Sequence, residues 1–209
     1  VKPLLILIGI LVISCNSNDH QSTDTIPTEI AQKDRKSISK ELQNGDLIFH
    51  TSQSSQSQAI QIATNSKYSH MGIIYKDGKE YFVYEAIQPV QITKLDDWIN
   101  RGKKSKYVVK RLKDGGKILT EEGIQKMKTI GQKYMGKNYD LRFEWSDDKI
   151  YCSELIWKIY KEAFNIEIGK LERFGDFDLS NNTVQNKVKE RYGNEIPKDE
   201  LVITPDRIV

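Results

Sequence analysis

Hydrophobic and polar positions change period several times along the chain, and each change marks an element. An unbroken apolar run over residues 4–13 stops at Ser14-Cys15, and residues 16–41 are polar and aperiodic around Pro27. After the turn Asn44-Gly45-Asp46, the run Leu47-Ile48-Phe49-His50 predicts a short strand. Residues 54–64 space Ala59, Ile60, Ile62 and Ala63 as a helix that Ser54 can cap. Two stretches rich in aromatic and β-branched residues, 68–76 and 80–87, flank Asp77-Gly78 and predict a hairpin, which residues 90–93 extend. A short helix is expected over 95–99, a strand over 107–112, a turn at 114–116 and a helix over 121–134 carrying Ile124, Met127, Ile130 and Tyr134. From Cys152 onward, Leu155, Ile156, Ile159, Tyr160 and Ala163 form one helical face, while Lys158, Lys161 and Glu162 point away. A last strand covers 201–203, before Pro205. A strand meander with helices before and after it predicts an α+β domain.

The ends of these patterns divide the chain. Lys2, the apolar run and a small residue have the layout of a secretory signal peptide, too short to span a bilayer comfortably. Val12-Ile13-Ser14-Cys15 resembles a bacterial lipobox, which implies a lipoprotein signal peptide over residues 1–15 with Cys15 as the lipidated residue. An ordinary signal peptide is the alternative. Residues 16–41 then read as a polar tether, and 42–209 as one domain, sized for a single core. The expected location is the cell envelope, held to a membrane through the N-terminal lipid and facing periplasm or exterior.

Composition narrows the classes. The chain holds two cysteines, so a lipidated Cys15 leaves Cys152 without an intramolecular disulfide partner. The net charge of +3 arises from interleaved Lys, Arg, Asp and Glu, which argues against a nucleic-acid footprint. The basic strip 101–106 reads as a solvated loop, with a membrane-surface role as the alternative. One Cys and two His in the domain do not suggest a zinc site, and the sequence has no phosphate-cradling Gly-rich loop. No metal or cofactor is expected, and the oligomeric state is left open.

Cys152 is the candidate nucleophile. At a helix N-terminus the macrodipole and unpaired N–H groups favour the reactive thiolate, although a free Cys is often only a small buried hydrophobe. A nucleophilic thiol needs a base, and the base needs an orienting group. His20 lies in the tether, leaving His70 and His50. Pairing Tyr75 with Glu80 or Tyr81 across the hairpin puts His70 opposite Glu85 or Ala86, close enough for the carboxylate to hold the imidazole. A one-residue slip turns Glu85 away. His50 is the rival base, read as a cleft-lining or surface group.

Further residues carry a resemblance. Gly136-Lys137-Asn138-Tyr139-Asp140, Trp145 and Tyr151-Cys152-Ser153-Glu154-Leu155 look like the nucleophile segment of NlpC-type papain-fold cysteine amidases. His70 and Glu85 precede the cysteine, the order of the circularly permuted YiiX/YaeF-like branch. Gly45 to Phe49, the Ser/Gln-rich helix, Ser69-His70-Met71-Gly72-Ile73 and Ile203-Thr204-Pro205-Asp206 match that branch too. The resemblance implies a permuted papain-like fold, an antiparallel sheet or barrel packed against helices including the nucleophile helix. It also implies a Cys152-His70-Glu85 triad, Tyr139 as an oxyanion donor, and Ser153 and Asp140 as substrate contacts. The implied activity is an exported amidase or peptidase acting on an amide bond, with cell-wall peptides as a substrate class. A thiol-dependent lipid acyltransferase or thioesterase shares the triad, and a non-catalytic ligand-binding lipoprotein is the reading from another class. An apolar tunnel beside Cys152 would favour a long acyl substrate, and a polar cleft with an ammonium-binding carboxylate a peptide.

Overall fold

Strand β1 (Leu47–His50) is buried throughout and lies at the interior of the sheet. The computed structural model describes residues 42–208. The signal peptide, Cys15 and the tether expected over 1–41 lie outside the described residues. Helix α1 (Ser55–Thr64) begins where the Ser54 hydroxyl accepts the Ser57 N–H, as the capping pattern predicts. Strands β2 (His70–Asp77), β3 (Glu80–Glu85) and β4 (Gln91–Lys94) then run as a meander, α2 (Leu95–Arg101) follows directly, and β5 (Tyr107–Lys110) returns beside β1. The order is β4-β3-β2-β1-β5 and every pairing is antiparallel. Among the described residues this sheet keeps two open edges, β4 and β5, so the expectation of a sheet or barrel resolves to an open sheet.

Alternation along the strands builds two cores. Leu47, Phe49, Met71, Ile73 and Tyr84 face α3 (Glu121–Gln132), which brings Ile124 and Met127. After the two-residue strands β6 (Asn138–Tyr139) and β7 (Lys149–Ile150), α4 (Cys152–Phe164) packs Leu155, Ile156 and Ile159 on the same face. On the other face Ile48, Ile74 and Val83 cover Leu95, Trp98 and Ile99 of α2. Beyond α4, β8 (Glu172–Arg173) pairs with β9 (Leu201–Val202), with α5 (Asn182–Tyr192) between them and α6 (Pro205–Ile208) last.

The sequence pattern predicts no element over residues 165–200, yet α5 lies there. Its apolar residues are a single stripe, Val184, Val188 and Tyr192, too narrow to stand out in a polar segment. Packing against Ile62 and Ala63 of α1 completes it. Lys158, expected to point away, is instead buried. Its ammonium reaches Ser146 O and Asp147 Oδ1 at 2.7 Å each and Glu154 Oε1 at 2.9 Å, and it sits over the Trp145 ring. Three oxygens therefore replace the water that its exposed placement would have supplied.

The hairpin closes one or two residues later than the sequence register assumes. Asp77 faces Glu80 across a two-residue turn, so Tyr75 pairs with Phe82 and Ile73 with Tyr84. Gly78 takes the positive φ of +56° that this turn needs. One step beyond Ile73 and Tyr84, the register sets Glu85 across from Gly72, diagonal to His70 on the same face. Gly72 leaves the room: a Cβ there would meet Val83 Cγ1 at 2.4 Å and Tyr84 O at 2.8 Å. Gly72→Ala should therefore destabilise the domain by about 1–3 kcal/mol through overpacking. Urea unfolding checks it, and an unchanged midpoint would refute the crowding.

Candidate active site

The chain entering α4 is fixed on several sides before it presents the thiol. Glu154 Oε2 accepts the Tyr151 N–H at 3.3 Å, half of a capping box. The Tyr151 hydroxyl accepts the Ile203 N–H at 3.1 Å, and Ser153 Oγ donates to Ile203 O at 2.7 Å. Cys152 is thus the first residue of a helix whose opening turn cannot shift, and only 3 % of it is exposed.

His70 comes from the far side of the sheet. It alternates with Ile74 toward α2, whereas Cys152 arrives with the helix on the opposite face, so thiol and imidazole meet where β2 begins. The thiol and the ring lie close enough that each shifts the other's titration. Glu85 Oε2 lies 2.7 Å from His70 Nε2, which leaves Nδ1 for the sulfur. Burial alone would push the imidazole down. Hydrogen bonds and charge from Cys152 and Glu85 overcome it, raising the His70 pKa from 6.5 to about 9. Burial likewise works to raise the Cys152 pKa, but the His70 hydrogen bond and charge and the Met71 backbone N–H hold it below the ordinary thiol value. The two shifts run in the directions that a thiolate–imidazolium pair would give.

Glu85 is wholly buried and has three partners: His70, the Thr93 hydroxyl at 2.6 Å on Oε1, and the Arg101 guanidinium on the same oxygen. Burial would raise its pKa, yet His70, Thr93 and Arg101 lower it below the usual carboxylate value. Sequence reasoning missed Thr93 and Arg101. Their spacing from Glu85 carries no signal, because a strand pairing and the end of a short helix bring them together.

Tyr139 reaches the thiol through an unusual local feature. Strands β6 and β7 pair in parallel, with Tyr139 beside Ile150, two residues before Cys152. Its hydroxyl lies beside Cys152, and burial and the sulfur's charge push its pKa well above the ordinary tyrosine value, so it keeps its proton to donate. The first-turn N–H groups of α4 have no intrahelical acceptor and point the same way.

Two other expected site residues serve the scaffold. The Asp140 carboxylate accepts the Arg142 and Glu144 N–H groups at 2.8 and 2.6 Å, pinning the loop after β6. Ser153 donates its hydroxyl proton to Ile203 O, and it also lines the same pocket as Cys152 and helps hold the thiol below its ordinary value. His50 is neither a surface group nor part of the pocket wall: it is 3 % exposed and stacks on Trp98 with ring centroids 4.0 Å apart. Burial, then the charges of His70 and Arg101, lower its pKa to about 3, so it stays neutral beside His70.

A pocket of about 760 Å³, its open mouth included, runs from Cys152, Tyr139 and Ser69 along α1 toward α5. Ile60, Ala63, Phe177, Leu179 and Val184 make most of its walls apolar, and its lining contains two cations, Lys187 and Arg191, and no carboxylate.

Three comparisons bear on this arrangement. Residues 41–206 match the family described as permuted papain-like amidase enzymes, YaeF/YiiX, C92. Escherichia coli K12 YiiX, itself described as uncharacterized, is 46 % identical over 166 residues, covering 79 % of this chain and 81 % of that protein. A crystal structure titled as metalloprotein yiiX from Escherichia coli O157:H7 aligns with a TM-score of 0.76 at 48 % identity, over 79 % of this chain and 91 % of the other.

Replacing Glu85 by Gln removes the negative charge that helps raise the His70 pKa, so the imidazole should titrate lower, back toward 6.5. Histidine ring-proton NMR across pH reads this directly. A His70 pKa unchanged in the variant would show that Glu85 does not hold the base.

Proposed function

Because the chain belongs to the permuted papain-like amidase family, C92, we propose that it is a cysteine hydrolase working through a thioacyl-enzyme on Cys152. The observation that carries this is the clustering of Cys152, His70 and Glu85, with Glu85 Oε2 2.7 Å from His70 Nε2 and the imidazole and the Tyr139 hydroxyl beside the thiol. In this reading the thiolate attacks a substrate carbonyl carbon. The developing oxyanion takes hydrogen bonds from Tyr139 and the Cys152 N–H. His70 gives its proton to the departing amine or alkoxide, the C–N or C–O bond breaks, and the acyl group stays on sulfur. Water, deprotonated by His70, then releases a carboxylic acid and restores the thiol.

The lining of the pocket supports one class of acyl group over another. A peptide's free ammonium would find no counter-charge in its lining, whereas apolar walls from α1 and α5 stabilise an acyl chain by about 0.8 kcal/mol per buried CH₂. A long-chain acyl ester, thioester or amide is therefore the better substrate class than a cell-wall peptide. Among the described residues no group of three or more His, Cys, Asp or Glu side chains is assembled as a metal site. Export and lipid anchorage at Cys15 enter this reading from residues 1–15 alone. Palmitate labelling of the expressed chain, lost in Cys15→Ser, supports the anchor, and label retained in that variant refutes it.

With p-nitrophenyl esters, kcat/KM should rise several-fold per two added carbons up to the length of the pocket. It should vanish in Cys152→Ala, and Ala63→Phe should selectively depress the long-chain substrates. A flat dependence on chain length would contradict the acyl assignment while leaving the nucleophile intact. No Cys152-dependent turnover of esters or amides would contradict the hydrolase.

A further inference from the structure

Glu85 is a carboxylate without solvent, and its two oxygens have different tasks. Oε2 faces His70, while Oε1 receives both the Thr93 hydroxyl and the Arg101 guanidinium. We propose that Arg101 and Thr93 are positioning residues for the reaction, a clamp on Glu85 Oε1 that aims Oε2 at His70 and keeps the carboxylate ionised. This rests on the reading of Cys152, His70 and Glu85 as the reacting chain.

The fold builds the clamp from two adjacent elements. Gln91 faces Glu85 across the β3–β4 pairing, and Thr93, two residues along β4, lies on the same face and reaches back diagonally. Helix α2 follows β4 without a loop, anchored on the sheet by Leu95, Trp98 and Ile99, and Arg101 ends its last turn. Gly102 then leaves the space that His50 fills, since a Cβ there would lie 2.8 Å from His50 Nδ1. The charged and titratable groups around Glu85 are His70 from β2, His50 from β1, Arg101 from α2 and Cys152 beyond His70. His50 is held neutral, so Arg101 is the permanent cation that balances the buried carboxylate when His70 is neutral, as it must be each time it has given up its proton. Without Arg101, each turnover would pass through a buried carboxylate facing only neutral partners, and protonation of Glu85 would release His70.

The sign of the effect follows. Loss of the guanidinium raises the Glu85 proton affinity, a neutral Glu85 no longer supports the imidazolium, and the thiolate then forms only at higher pH. The test is the rate of Cys152 alkylation by chloroacetamide against pH, on the full chain. Wild type should show a thiolate plateau beginning well below the ordinary thiol range. Arg101→Met should move the acid limb up by about one pH unit or more. Thr93→Val should move it in the same direction by less, and Arg101→Lys should restore most of the wild-type profile. In a Glu85→Gln background, Arg101→Met should add no further shift. A purely structural arginine would alter the thermal midpoint and leave the profile in place. An Arg101→Met profile that overlays wild type, or a shift that persists undiminished in Glu85→Gln, overturns the clamp. A wild-type thiol with ordinary titration would overturn the reacting chain itself, and the clamp with it.

Discussion

A carboxylate with no solvent contact, Glu85, is the constraint around which the site is arranged. Taking such a group out of water is costly, and it stays ionised only if hydrogen bonds and opposite charges surround it. His70, Thr93 and Arg101 do so, and each requirement reaches into the fold. The hairpin register must set Glu85 diagonal to His70, Gly72 must lack a side chain, and α2 must start where β4 ends. Removing one partner from a buried charge typically costs about 3–5 kcal/mol, so the sheet edge and the chemistry are secured by the same contacts.

The thiol and its base reach each other from opposite faces of one sheet. The helix that carries Cys152 is held at its opening turn through Tyr151 and Ser153 to Ile203 and through Glu154 to the backbone. The Lys158 contacts to Ser146 and Asp147 extend that hold to the loop after Tyr139. The pocket beside Cys152 lies outside this polar core. It forms between α1 and α5, so the groups that activate sulfur and the walls that would select an acyl chain belong to different parts of the chain.

Much of this was legible in the sequence where local chemistry sets the outcome. Ser54 announces α1, Asp77-Gly78 announces the hairpin, and the apolar face after Cys152 announces α4. The pairing of His70 with Glu85 was reachable from strand counting even though the register was wrong by one or two residues, because a shift of two preserves the face. Elements fixed by distant partners were not legible. Helix α5 has only three buried apolar residues and depends on α1, Lys158 looks solvated until the loop folds over it, and Arg101 looks like part of a basic strip until α2 docks. Asp140 and Ser153 illustrate the reverse: family motifs flag their positions, while their hydrogen bonds go to the scaffold.

The central claim is that Cys152 rests as a thiolate beside an imidazolium. The ultraviolet absorbance of the thiolate, recorded against pH as wild type minus Cys152→Ser, tests it most directly. The account predicts that the thiolate signal appears well below the ordinary thiol value of about 8.5 and is retained across neutral pH. A signal that first appears at or above that value would contradict the ion pair, and with it the reading of this site as an activated nucleophile.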